Sequence, residues 1–136
     1  MSDLPTSNMR HLSVVEILAI HDRVLEETRG SFGMRDENLL HSIAVGPKAS
    51  FGDKEQFPTL FLKAAAYLES IATYHVFVDG NKRTAITVAS AFLAMNDFLV
   101  ELEIEATEEF ILAVAQSQIK LEEIAAWLKK NSKPIN

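Results

Sequence analysis

The nine residues from His75 to Arg83 hold a base, a carboxylate, an amide and two cations: His75, Asp79, Asn81, Lys82 and Arg83. No other stretch of the chain is as chemically dense. An apolar helical pattern runs from Pro58 to Tyr74 and another from Asn81 to Met95, so the cluster falls in the joint between two buried helices. The first turn of a helix carries unpaired N–H groups and the positive end of the dipole, worth about 0.3–1 kcal/mol to an adjacent anion. Gly80, Asn81, Lys82 and Arg83 form that turn. Gly80 lets a ligand approach the backbone, Asn81 offers an amide donor, and Lys82 and Arg83 add a point charge and a planar fork suited to phosphate oxygens. The ligand implied is a phosphate chain.

Asp79 would repel phosphate unless a cation stood between them, and Mg²⁺ held by one carboxylate plus phosphate oxygens is the usual arrangement. His75 then remains free to accept a proton from an attacking hydroxyl, since an unperturbed imidazole titrates near pH 6.5. Asp79 also fits a plainer task, that of an N-cap accepting from the backbone of Asn81 or Lys82, and the two tasks are compatible. Phe77 is structural on this reading: it pins the loop into the core so that His75 stays aimed.

The stretch His75-Val76-Phe77-Val78-Asp79-Gly80-Asn81-Lys82-Arg83 resembles the HxFx[DN][AG]NKR motif of the Doc (death on curing) toxins, a branch of the Fic fold. Flanking segments are similar in order and spacing, among them His11-Leu12, His21-Asp22, Gly33-Met34-Arg35-Asp36, Asn96-Asp97-Phe98 and Trp127-Leu128. The resemblance covers roughly residues 10–130. The wider Fic pattern, HPFx[DE]GNGRxxR, differs in three places: Val76 replaces Pro, Lys82 replaces the second Gly, and Ile86 stands where a second Arg would hold an outer phosphate. Fic enzymes with that Gly and Arg transfer AMP, whereas Doc proteins carry Lys and act as protein kinases, so the chain sides with Doc.

The resemblance implies a toxin that uses ATP and Mg²⁺ to phosphorylate a protein Ser or Thr, the known type of target being elongation factor Tu, and thereby arrests growth. It assigns catalysis to His75, Asp79, Lys82 and Arg83, nucleotide binding to Gly80, Asn81, Lys82 and Arg83, and Mg²⁺ to Asp79. Two alternatives stand beside it: a Fic-type nucleotidyltransferase, and a non-catalytic module that binds an antitoxin and tunes operon repression. Many Fic proteins block themselves with a helix of pattern [ST]xxxE[GN], which is absent from this sequence. The resemblance therefore implies inhibition in trans by a Phd-like antitoxin whose disordered tail folds on binding.

The 136 residues, 48% of them hydrophobic, suit a single domain spanning 1–136 with its core at about 10–131. A chain of this length buries roughly two-thirds of its unfolded surface. A net charge of −6 argues against a general nucleic-acid surface. There is no cysteine, which removes disulfides and thiolate metal sites. Met1 to Arg10 lacks an apolar leader pattern, and the run from Ala85 to Met95 is too short to span a bilayer, so a cytoplasmic protein without a membrane segment is expected.

The positioning elements are expected to be about six helices in an all-α, Fic/Doc-like bundle, with the active-site loop before a central buried helix. Ser13 opens the first with a capping box to Glu16, and His21 lies on its apolar stripe as a core-edge histidine. Gly30 to Gly33 ends it, Asp36 caps a second helix, and Arg35 reads as an architectural ion-pair former. Gly46 to Phe57 is a long loop in which Ala49 to Phe51 could form an extended edge that aligns a peptide. Pro58 suits the first position of the third helix, and the fourth, apolar nearly all round, should be the most buried rod. Phe98 to Ile104 alternates but a sheet is not expected, Thr107 caps a fifth helix, Leu121 to Leu128 belongs to a sixth with Trp127 at its edge, and Ser132 to Asn136 reads as a frayed tail.

Overall fold

The computed structural model describes residues 9–135; the leader-free reading of Met1 to Asn8 lies outside the described residues. The chain is mostly helical: α1 Val14–Thr28, α2 Glu37–Val45, α3 Leu60–Tyr74, α4 Asn81–Met95, α5 Ile104–Ala115 and α6 Leu121–Lys130. Two small antiparallel pairs accompany them, β1 Ser50–Phe51 with β2 Lys54–Glu55, and β3 Phe98–Val100 with β4 Ser132–Pro134. Among the described residues no helix is long and apolar enough to cross a membrane.

Local chemistry sets most helix starts. Ser13 Oγ accepts from Glu16 N–H at 3.2 Å while Glu16 Oε1 accepts from Ser13 N–H at 2.8 Å, the expected capping box. Asp36 Oδ1 accepts from Leu39 N–H at 3.1 Å and opens α2. α3 starts later than Pro58 suggests, because Thr59 is the cap, its hydroxyl accepting from Leu62 N–H at 3.2 Å. α5 starts earlier than Thr107 suggests: Glu103 Oε1 accepts from Ala106 N–H at 2.7 Å, and the Thr107 hydroxyl turns back to the Glu103 carbonyl. Thr107 is itself buried on the inward face of α5 with Phe110, Ile111 and Val114, so it lies inside the helix and the cap falls to Glu103 one turn earlier.

α3 is the most buried rod, packed against α4 and α6 and reaching α5. It buries residues on almost every side, from Leu60 and Phe61 through Ala64, Ala65 and Ala66 to Ile71 and Ala72, whereas α4 buries a narrower set. The expectation that α4 would be the most buried rod is not met, because α4 opens on the polar and charged Asn81, Lys82 and Arg83, while the run of alanines lets neighbours close on α3 from several directions. Burying one Leu, Ile or Phe contributes about 1.5–3 kcal/mol, so this pair of helices dominates the core. Tyr67 crosses it, its hydroxyl accepting from Leu12 N–H at 3.0 Å, and burial pushes that phenol up to about 12. Trp127 stacks on Phe110 at 3.8 Å and closes the α5–α6 side.

Two segments differ from expectation. Residues 46–57 form an anchored hairpin rather than an open loop: it turns at Gly52, with φ of 62°, and Lys63 of α3 reaches its base. That ammonium, only 1% exposed, donates to the Pro47 carbonyl at 2.7 Å and to Glu55 Oε1 at 2.8 Å. At the other end, Ser132–Pro134 is not a frayed tail but a strand beside β3, so a sheet contact does form. Asp97, at φ of 74°, reverses the chain after α4 and accepts from Ile135 N–H at 2.8 Å, while Glu101 N–H donates to the Asn131 carbonyl at 2.7 Å.

Candidate active site

The loop His75–Gly80 joins α3 to α4 and is held from three directions. From the α1–α2 turn, Arg35 N–H donates to the Val76 carbonyl at 2.7 Å and Val78 N–H to the Gly33 carbonyl at 3.0 Å, with Met34 bridged to Phe77. The architectural work of Arg35 is thus done by its backbone; among the described residues its guanidinium has no carboxylate partner within ion-pair reach. From α4, Asn81 Oδ1 accepts from Phe77 N–H at 3.1 Å and its Nδ2 donates to the Phe77 carbonyl at 2.9 Å. From α1, the buried ring of His21 stacks on Phe77 at 3.7 Å and 10°, and its Nε2 lies 2.9 Å from the Asp79 carbonyl. Phe77 is fully buried, the anchor expected of it.

This geometry changes two expectations. The Asn81 side chain, expected as a ligand donor, spends its oxygen and one Nδ2–H on the Phe77 backbone and so holds the loop to the start of α4. Asp79 is not the cap of α4. Its Oδ1 accepts from Gly80 N–H at 2.9 Å and its Oδ2 from Ser31 N–H at 3.2 Å, neither of them in the first helical turn. Gly80 holds the cap position with φ of 78°, a conformation that favours glycine, and no side chain caps α4. The first intrahelical bond runs from Thr84 N–H to the Gly80 carbonyl, which leaves the N–H groups of Asn81, Lys82 and Arg83 ahead of it.

Those three residues, with Asp79 and Gly80, line a cleft of about 400 Å³ whose far wall is Val24, Thr28 and Gly30. Gly30 has no room for a side chain: a Cβ there would stand 2.7 Å from Asp79 Oδ2. The cleft offers one carboxylate, and no group of three metal-binding side chains occurs among the described residues. That donor set fits Mg²⁺ carried in by phosphate oxygens rather than a resident metal in an all-protein cage. Lys82 and Arg83 also border a second, apolar groove of about 550 Å³, where Ile86 sits beside Leu102 and Ile104. Ile86 is not among the residues that line the cleft beside Asp79.

The structure brings Asp79, Gly80, Asn81, Lys82 and Arg83 together, but His75 is not among the cleft's lining residues. His75 is exposed and caps the C-terminus of α3 in the left-handed conformation, with φ of 53°. An L-residue adopts that conformation at a cost, and histidine tolerates it better than most. Sequence reasoning missed Ser31 and read His21 as a core-edge histidine, whereas its buried ring stacks on Phe77 and meets the Asp79 carbonyl. Ser31 acts through its backbone, which no side-chain pattern reveals, and His21 shows only as a polar residue on an apolar stripe.

A family model described as Fic/DOC family matches residues 11–93. The chain is 37% identical over 101 residues to "Toxin Doc" of Mycolicibacterium smegmatis, which covers 73% of this chain and 78% of the relative. It is 31% identical over 122 residues to "Protein kinase doc" of Escherichia phage P1, covering 90% of this chain and 95% of the relative.

Proposed function

The chain belongs to the Fic/DOC family, on its Doc toxin branch, and from that premise we propose that it is the toxin of a toxin–antitoxin pair and acts as a protein kinase. It transfers the γ-phosphoryl of ATP to a Ser or Thr hydroxyl of a translation factor, elongation factor Tu being the expected target, and so arrests growth in the cytoplasm. The observation that carries this reading is the open start of α4, where uncapped N–H groups, Lys82 and Arg83 face a cleft floored by Asp79. Phosphoryl transfer needs positioning and electrostatic stabilisation above all, and this is a site built of both.

Each residue has a task. The N–H groups of Asn81, Lys82 and Arg83 and the two side-chain cations surround the phosphate oxygens. Asp79 would hold Mg²⁺, which when bound neutralises the charge building on the β- and γ-oxygens. His75 stands outside the cleft on the solvent side, where an incoming protein reaches it. The acceptor oxygen attacks the γ-phosphorus, the bond to the β-phosphate oxygen breaks, ADP leaves, and the hydroxyl proton passes to the imidazole. Nucleotide and protein thus approach from different sides.

Transfer of AMP would need a further cation on the outer phosphates, and Ile86 lies in the apolar groove instead. Parallel reactions of the purified chain with ATP labelled at the α or the γ position, in a cell lysate, decide between them. One labelled protein from γ only is expected. Label from α would make the chain a nucleotidyltransferase, and none from either would leave the non-catalytic antitoxin-binding module. For the antitoxin, the apolar groove beside Lys82 and Arg83 suits an amphipathic helix laid next to the motif. Co-expression with the product of the neighbouring gene should restore growth and yield a stable complex; unrelieved arrest would count against that partner.

A further inference from the structure

We propose that His21, on α1, is the positioning residue that sets the orientation of Asp79, acting through a hydrogen bond from its Nε2–H to the Asp79 backbone carbonyl. A carbonyl only accepts, so the 2.9 Å contact requires the proton on Nε2. The ring is 1% exposed and lies flat on Phe77, so two adjacent parts of the loop are fixed by one side chain. Gly80 closes over the same ring: a Cβ at that position would come within 3.9 Å of His21 Cδ2 and 3.0 Å of Leu25.

The Asp79 peptide is therefore clamped at its carbonyl from α1, while its carboxylate is spread between Gly80 N–H and Ser31 N–H. Without the imidazole, that carbonyl has no other donor among the described residues, and rotation of the Asp79–Gly80 peptide would swing both the carboxylate and the first N–H groups of α4. The other nitrogen, Nδ1, lies 3.4 Å from the half-exposed Asp22 carboxylate, a contact directed away from the loop. It is the Nε2 side that faces the site.

Two substitutions separate the roles of the ring. His21→Phe keeps a flat ring against Phe77 and loses the donor; His21→Gln keeps an N–H near the Nε2 position and loses the ring. Amide hydrogen exchange, read residue by residue, is the primary measurement. His21→Phe should speed exchange at Ser31 and Val78 by about tenfold, the factor carried by one net hydrogen bond, with α4 interior amides from Val88 onward unchanged. His21→Gln should stay close to the parent at Ser31 and Val78.

The catalytic consequence rests on the phosphoryl-transfer reading, and there His21→Phe should raise the Mg²⁺ concentration needed for half-maximal transfer while His21→Gln does not. Equal exchange in both variants, or a uniform rise across α4 in His21→Phe, would show ordinary core packing and overturn the proposal. If the parent transferred no phosphoryl group, that would sink the kinase reading alone, because the exchange result decides the clamp by itself.

Discussion

The starts of α1 and α4 are built on opposite principles. α1 closes itself: Ser13 and Glu16 satisfy each other's backbone, and an acidic side chain lies where the helix dipole favours one. α4 has no side-chain cap, no acid in its first turn, and two cations pressed against the positive end of its own dipole. One terminus satisfies itself and the other leaves its positive end without a side-chain partner. The difference teaches that a helix start read as unfavourable by stability rules is the place to look for a ligand, since local choices that disagree with folding are kept for another reason.

The strongest way to break this contrast is to make α4 resemble α1. Lys82→Glu combined with Arg83→Glu should abolish transfer below detection while stabilising the fold by about 0.3–1 kcal/mol per residue, read as a raised melting temperature. A fall in both would mean that the cations are structural. His75→Ala comes next, with transfer expected to drop about 10²–10⁴-fold and the melting temperature only slightly lowered, because the imidazole is exposed and what the fold loses is a residue tolerant of the left-handed backbone. A variant as toxic as the parent at equal soluble level would remove His75 from the chemistry.

The converse change at the closed end should act on stability alone. Ser13→Ala is expected to cost about 1 kcal/mol in denaturant titration and to leave transfer per folded molecule as it was. The smallest effect lies beside that end, at His11. Burial, then Lys63 and Lys48, hold its imidazole below the usual range. The unfolded chain takes up a proton below about pH 6.5 that the folded chain refuses, so stability declines as pH falls through that point. His11→Gln should flatten the decline between melting curves taken at pH 7 and pH 5; an identical slope would clear His11 of any part in it.

What the sequence made legible was local. The Ser13–Glu16 box, the Asp36 cap and the crowding of Asp79 to Arg83 all depend on residues within one turn of each other, and all hold in the structure. What stayed hidden was set by the path the chain takes between elements. The amide of Asn81 reads as a ligand donor until the loop's path brings Phe77 back onto it. Lys63 carries no signal of its own in the sequence, and its role shows only when the hairpin brings the Pro47 carbonyl and Glu55 onto its buried ammonium. Ser132-Lys133-Pro134 has almost no strand propensity, so only the free edge of Phe98–Val100 explains why it pairs.

That last pairing has a consequence for self-association. Among the described residues β3 has a single strand partner, and Leu99 on it is already exposed. A variant shortened to end at Asn131 would strip β3 of its cover and leave a three-residue row of N–H and C=O groups beside apolar side chains, the kind of bare edge on which a second copy can add a strand. Such a variant should keep its helices and its cleft but sediment as oligomers, with the tail serving the full chain as a guard on solubility rather than as part of its core.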